Sequence, residues 1–153
     1  VKERAIKPIE RTGELVDIIC KAVPKAVRQA ASGHPAKRIF QAIRIEVNDE
    51  LGILSEAFHA ASDALKPGGR LVILTFHSLE DRIAKNALRE MARGCICPPE
   101  LPVCVCHHHP ELKLLVKGTK ATKDELAKNT RAKSAKLRVA EKLPPFVEEG
   151  GAA

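Results

Sequence analysis

The spacing of apolar residues changes near the middle of this chain, at Pro67. From about residue 36 to residue 65 the apolar positions recur every three or four residues: Ile39, Ile43, Val47, Leu51, Leu54, Phe58, Ala61 and Leu65. That period predicts one amphipathic helix, which the turn Pro67-Gly68-Gly69 ends. The run from Leu71 to Leu74 contains no polar residue. Such a run is typical of a strand that is covered on both faces of a parallel sheet.

A polar cluster follows this strand and begins another helix. Ser78 with Asp81 three residues later is a capping-box pattern. The helix would place four apolar residues on one face: Leu79, Ile83, Ala87 and Met91. Ligands of open α/β sheets lie beyond the carboxyl ends of the strands, so we expect an active-site wall here. Its candidate residues are His77, Ser78, Glu80, Asp81 and Arg82.

Weaker patterns cover the rest of the chain. Thr12 is a capping residue for a short helix that Pro24 ends, and the basic segment Lys25–Pro35 is expected to be a mobile loop. Alternating residues predict two more strands, at Glu111–Lys117 and Ser134–Lys142, with one or two helical turns between them at Thr122–Asn129.

The net charge of +7 is concentrated near the end of the chain. Residues 111–142 contain ten Lys or Arg and four Asp or Glu, a difference of +6. Such a stripe fits a polyanion partner such as nucleic acid, but a solvated helix face explains it equally well. No apolar run approaches the ~18 residues that a membrane span needs, and no signal-peptide pattern is present. We therefore expect a soluble, cytoplasmic protein with no membrane partner.

Four cysteines form a Cys-x-Cys, six residues, Cys-x-Cys array at Cys95, Cys97, Cys104 and Cys106. Four thiolates can bind zinc tetrahedrally, and His107–His109 could complete a site. The usual spacing, however, leaves at least two residues between paired cysteines. Reduced free thiols in a surface loop fit a cytoplasmic setting better, so the sequence predicts no metal site and keeps zinc as the alternative.

Three segments together resemble a known family: Phe40–Leu51, Pro67–Arg82 and Arg131–Arg138. Their residues and order are similar to those of bacterial small-subunit (16S) rRNA cytosine-N4 methyltransferases of the MraW type. The resemblance implies methyl transfer from S-adenosylmethionine to the exocyclic amine of a cytidine. It also implies small-subunit rRNA or a ribosomal particle as partner. A rival without catalysis is a zinc-stabilised, basic nucleic-acid-binding module.

The fold that the resemblance implies is α/β: the C-terminal half of a Rossmann-like methyltransferase sheet plus the end of a helical insertion domain. The expected divisions are residues 1–35 for the end of the insertion and a linker, 36–143 for the half-domain, and 144–153 for a disordered tail. Arg70–Phe76 would be a central parallel strand, and the two later strands would close the sheet as an antiparallel pair.

The family's Gly-rich cofactor turn has no counterpart here. Gly68-Gly69 precedes its strand instead of following it, so we interpret it as a turn. We therefore expect part of a longer protein, inactive alone, with S-adenosylmethionine bound by an absent N-terminal half and no cofactor-binding residue in this part.

The catalytic residue is unknown at this point, and the wall residues around His77 are its candidates. Candidate RNA contacts are Asn48, Arg131, Lys133, Lys136 and Arg138. For Asn48 the alternative is a solvated helix face on which Arg44 pairs with Asn48 or Glu50. Without neighbours from the absent half, the strand at Arg70–Phe76 would have an unpaired edge, and we expect a homo-oligomer or swapped pairing.

Overall fold

The computed structural model describes residues 1–30, 33–98 and 100–146, and the chain divides into two compact units, Val1–Glu50 and Leu51–Ala153. Within these described ranges, no helix is both long and apolar enough to cross a membrane. Of the predicted disordered tail at 144–153, residues 147–153 lie outside the described residues.

The first unit is helical. Its helices are α1 (Lys2–Ile6), α2 (Thr12–Ala22), α3 (Lys25–Ala30) and α4 (Lys37–Asn48). The short helix predicted before Pro24 is confirmed as α2, although Arg11 is its N-cap and Thr12 its first residue. The prediction of a mobile loop from Lys25 onward is wrong for Lys25–Ala30, which form α3. A proline such as Pro24 is compatible with the start of a helix as well as with the end of one.

The long helix predicted for residues 36–65 is two helices. Asp49 has a left-handed backbone (φ 48°) and ends α4, and α5 then begins at Leu54 and runs to Asp63. Asp is one of the few residues that adopt this conformation readily, because its short polar side chain can hydrogen-bond locally. The apolar period continues through the break, which is why the sequence pattern did not detect it.

The second unit contains a three-stranded sheet. After α5 come β1 (Arg70–Thr75), α6 (Ser78–Met91), β2 (Leu112–Lys120), α7 (Lys123–Lys128), a 3₁₀ turn (Thr130–Ser134) and β3 (Lys136–Lys142). The strand order is β1-β3-β2, and both pairings are antiparallel. The antiparallel pair of later strands is confirmed. The strand expected to be central and parallel differs, because β1 lies at an edge and is antiparallel to β3.

Helix α6 packs on one face of this sheet and forms the core of the unit. The buried residues are Ile73, Ala84, Ala87, Leu88, Met91, Leu112 and Ala140. The partly buried side chains of Phe58 and Leu71 pack against this cluster. Three of the seven core residues are alanines, and small side chains allow a helix and a sheet to approach closely.

The opposite face of β1 is apolar but exposed. Val72, Leu74 and Phe76 alternate along the chain and are 59%, 54% and 54% exposed. The cross-strand partners Val139 and Leu137 lie beside Val72 and Leu74 on the same face. The unbroken apolar run is thus explained, since both faces of β1 are apolar and α6 covers one of them.

Candidate functional site

The link between β1 and α6 is held by a capping box. His77 is the N-cap of α6, and the Glu80 carboxylate accepts hydrogen bonds from the backbone N–H groups of Phe76 (3.2 Å) and His77 (3.1 Å). The predicted start of the helix is confirmed. The capping pair is His77 with Glu80, one residue earlier than the predicted pair of Ser78 with Asp81. Glu80 therefore fixes the turn that presents its neighbours.

Because Glu80 caps the helix, the Asp81 carboxylate makes other contacts. Arg138 Nε lies 2.8 Å from Asp81 Oδ1, and Lys136 Nζ lies 2.6 Å from Asp81 Oδ2. The Thr75 hydroxyl is a weaker donor to Oδ1 at 3.5 Å. Lys136 and Arg138 are two residues apart on β3, so both side chains point to the face that α6 covers. Asp81 and Arg138 are each only 7% exposed.

The electrostatics of this cluster favour the ionised carboxylate. The hydrogen bond from Arg138, assisted by the one from Lys136, lowers the pKa of Asp81 from 3.8 to about 2. Burial acts in the opposite direction but is outweighed. With one carboxylate and two cations, the cluster carries a net charge of +1 at neutral pH.

A depression of about 300 Å³ opens beside this cluster, at the carboxyl end of β1. Its lining residues are Phe76, His77, Ser78, Asp81, Ser134 and Lys136. Three of the five predicted wall residues thus line one cavity. Glu80 is occupied by the capping box, and Arg82 is exposed outside the lining. Ser134 was not among the predicted wall residues, because nothing in the sequence indicated that the 3₁₀ turn would lie beside β1.

The five predicted RNA contacts fall into different settings. Lys136 is partly exposed and lines the depression, and Arg131 and Lys133 are exposed on the 3₁₀ turn that leads into β3. Arg138 is buried, and its guanidinium donates to Asp81 and to the backbone carbonyl of Lys117. The Arg138 guanidinium is therefore engaged in an interior ion pair, and an RNA contact by Arg138 stays a prediction.

Asn48 lies in the first unit, at the end of α4. Its amide donates to Glu50 at 3.2 Å, and Arg44 binds the same carboxylate through two contacts of 2.7 and 2.9 Å. The alternative interpretation, in which Arg44 pairs with Glu50 on a solvated face, fits this geometry. An RNA contact by Asn48 stays a prediction.

The glycine pair before β1 serves the turn. A Cβ atom on Gly69 would lie 2.8 Å from the carbonyl oxygen of Lys66, and the Gly68 N–H donates to the carbonyl of Lys142 on β3 at 2.8 Å. The pair thus packs against its own turn and β3. The interpretation of Gly68-Gly69 as a turn is confirmed.

One cluster among the described residues has the composition of a metal site. The Sγ atoms of Cys95, Cys97, Cys104 and Cys106 all lie within 4.8 Å of one another. The neighbouring histidines are outside that cluster, and the ring of His109 stacks on Phe146 at 3.5 Å.

A comparison of the sequence with known protein families finds a match over most of this chain. The family model described as the MraW methylase family matches residues 1–143. The chain belongs to this family.

Curated relatives of this chain carry the name ribosomal RNA small subunit methyltransferase H. The protein of Heliobacterium modesticaldum is 60% identical over 144 residues, which are 94% of this chain and 46% of the relative. The proteins of Finegoldia magna and Clostridioides difficile are 57% and 55% identical over 92% and 94% of this chain, and over 45% and 46% of their own length. The chain therefore spans about half the length of the curated relatives it matches.

Proposed function

We propose that this chain is part of an enzyme that transfers a methyl group from S-adenosylmethionine to the N4 amine of a cytidine in small-subunit rRNA. The observation that carries the proposal is the identity of 55 to 60% with relatives named as small-subunit rRNA methyltransferases, over more than nine-tenths of the chain. S-adenosylmethionine supplies the methyl group when bound. The remaining half of the relatives' length would hold it.

The depression beside α6 is the proposed substrate-facing part of this chain. Methylation of the amine requires its lone pair to point at the methyl carbon, and the amine must then lose a proton. The half-buried His77 and the exposed Ser78 line the depression, where they can orient the base. An imidazole nitrogen can also accept the departing proton, so His77 is the first candidate for that role.

Basic residues beside the depression support an RNA substrate. Lys136 lines it, and the exposed Arg131 and Lys133 precede β3. Phosphate contacts of this kind position RNA without reading its sequence. Because Asp81 is already neutralised by its two cations, the surroundings of the depression carry an excess of positive charge for a polyanion.

One edge and one face of the sheet support the proposal of a larger, Rossmann-like domain in the full-length protein. Among the described residues β1 pairs with β3 alone, so one of its edges is free, and its Val72 face is exposed. We propose that the other half of the relatives' fold adds parallel strands at this edge and covers this face.

A chimera tests the proposed activity. Residues 1–143 of this chain, which the family model matches, would replace the corresponding segment of the Heliobacterium modesticaldum relative. Small subunits lacking the modification would be the substrate. We expect N4-methylcytidine in the nucleoside digest, detected by mass spectrometry. The 153-residue chain alone should produce none. A folded chimera that binds S-adenosylmethionine but leaves the RNA unmethylated would contradict the proposal.

Single substitutions in the chimera test the RNA contacts. Lys133→Ala should weaken RNA binding and lower the salt dependence of the affinity, because one phosphate contact and its released counterion are lost. The matched control is Lys123→Ala, another exposed lysine at the start of α7. Equal loss of affinity in both variants would argue against a specific role for the 3₁₀ turn.

The rival from the sequence, a zinc-stabilised module without catalysis, explains the cysteine array but gives no reason for the relationship to methylases. The array and the proposed catalysis are compatible, since they involve different residues.

A further inference from the structure

The loop between α6 and β2 brings four thiols together. The Sγ of Cys104 lies 3.5 Å from those of Cys95 and Cys106 and 3.9 Å from that of Cys97, and Cys95 and Cys106 are 3.8 Å apart. We propose that these four cysteines bind one Zn²⁺ ion in a closed, structural site. The site is separate from the depression at β1 and independent of the proposed methyl transfer.

The distances are those of a tetrahedral zinc site. A Zn–S bond of about 2.3 Å places the four sulfurs of a regular tetrahedron about 3.8 Å apart. Four of the six Sγ–Sγ separations lie between 3.5 and 3.9 Å, and every pair is within 4.8 Å. All five cysteines of the chain are free thiols, so no disulfide competes for these sulfurs in this structure.

The backbone of the loop also fits thiolate ligands. The N–H of Cys97 donates to Cys95 Sγ, and the N–H of Val105 donates to Cys97 Sγ, both at 3.4 Å. Hydrogen bonds from backbone N–H groups stabilise the negative charge that metal-bound sulfur carries. The short Cys-x-Cys spacing is therefore no obstacle here, since the folded loop brings both pairs of cysteines to one point.

Hydrophobic burial contributes little to the described residues of this loop. Four of its apolar side chains, Ile96, Leu101, Val103 and Val105, are 46 to 69% exposed. A loop whose sulfurs converge while its apolar residues face solvent needs another source of stability. Metal coordination supplies one, because binding free energy becomes folding free energy when the site forms only in the folded loop.

The donor set indicates the metal and its role. Four tetrahedral thiolates select zinc or iron among the common metals. With four protein ligands there is no open position for a substrate or water, so the site stabilises the loop and performs no chemistry. At the base of the loop the Glu111 N–H donates to the carbonyl of Met91 at 2.8 Å, which joins its two ends.

Metal content is the first test. The untagged 153-residue chain, expressed with zinc available and purified under reducing conditions, should contain one zinc ion per chain by mass spectrometry of the elements. After exchange into Co²⁺, it should show the visible bands and the sulfur-to-metal charge transfer of a tetrahedral cobalt thiolate. A chain with one iron and no zinc would overturn the assignment of zinc. A chain that binds neither Zn²⁺ nor Co²⁺ while all its thiols react with a thiol reagent would overturn the site.

Two serine variants locate the metal. Cys97→Ser should lose the bound zinc and the cobalt spectrum, whereas Cys20→Ser, at a half-buried position of α2 outside the cluster, should keep both. Undiminished zinc in Cys97→Ser would place the metal elsewhere and contradict the proposal. If Cys97→Ser does not fold, the stoichiometry and cobalt spectrum of Cys20→Ser decide the question, because only the four clustered thiols then remain.

Discussion

Asp81 is the residue that connects α6 to β3. Its carboxylate receives two cations from the same face of one strand, and all but a tenth of its side chain is buried. A buried carboxylate with paired cations gives little net stability compared with an apolar core, but removal of one partner leaves an uncompensated charge. The contribution of this cluster is therefore best seen when the carboxylate is removed.

Asp81→Asn should lower the free energy of unfolding by about 2 to 4 kcal/mol, because the buried Arg138 guanidinium loses its counter-charge. Asp63→Asn is the matched control, since Asp63 is 72% exposed and pairs with Lys142 only at 3.6 Å. We expect a change of less than about 1 kcal/mol there. Urea unfolding, monitored by circular dichroism, measures the change in unfolding free energy for both variants. Equal effects would mean that the Asp81 cluster has no special energetic role.

The lowered pKa of Asp81 predicts that the free energy of unfolding depends on pH. The pKa of Asp81 is lowered in the folded state from 3.8 to about 2, so its stabilisation is complete above about pH 4 and is lost as the pH falls toward 2. The difference in unfolding free energy between the original chain and Asp81→Asn should therefore shrink over this range. Urea midpoints of both proteins at a series of pH values measure it. A difference that stays constant down to pH 3 would contradict the lowered pKa.

At the scale of elements, the pairing of β2 with β3 is irregular where β2 passes the Arg138 side chain. Strand β2 has register shifts against β3 between Leu114 and Val116 and between Val116 and Thr119. Gly118 lies in the second irregular stretch, with a φ of +133°. This backbone conformation is rare for residues with a side chain. The Arg138 guanidinium fills the space that such a side chain would need.

Gly118→Ala should destabilise the second unit by about 1 to 3 kcal/mol. The new Cβ would lie 3.1 Å from the guanidinium of Arg138, in addition to the backbone strain. Gly94→Ala is the control, because its Cβ would approach only Pro110, at an ordinary 3.8 Å, and we expect a change within about 0.5 kcal/mol. Thermal unfolding of both variants distinguishes them. A neutral Gly118→Ala would show that the strand adapts without cost.

At the scale of the whole molecule, the sheet has an exposed apolar face, and among the described residues no strand pairs with the second edge of β1. Exposed strands of this kind pair readily with other chains. The face includes Val72, Leu74 and Phe76, each more than half exposed. In the proposed full-length enzyme the same surface would be covered by the other half of the domain, so its exposure here fits both the proposed fold and the expected self-association.

The chain should therefore associate with itself in solution, and Leu74→Lys should shift it toward the monomer. Leu74 is 54% exposed, so a lysine there adds charge to the apolar face with little effect on the core. Ile6→Lys, at an 83% exposed position of α1, controls for the added charge. Light scattering after size exclusion measures the mass of each protein. A wild-type chain that is monomeric at all concentrations would contradict the expected oligomer.

The local elements followed largely from the sequence. The helix that begins at Ser78, the strand after Gly69 and the later antiparallel strands have patterns that depend on near neighbours alone. The break at Asp49 was not predicted because the apolar period runs across it. Helix α3 was not predicted because its basic residues gave no clear period. The family relationship could likewise be inferred from three segments of the chain.

The sequence by itself determined the family, the main elements and the cysteines that could share a metal. Only the tertiary structure decided how the polar residues are used. Asp81 meets Lys136 and Arg138 across 55 and 57 residues, which buries Arg138 and leaves Lys136 at the depression. The convergence of four sulfurs likewise depends on how the loop folds. Periodicity reports the neighbours along one element, whereas these contacts arise from the packing of separate elements, and their partners cannot be read from spacing.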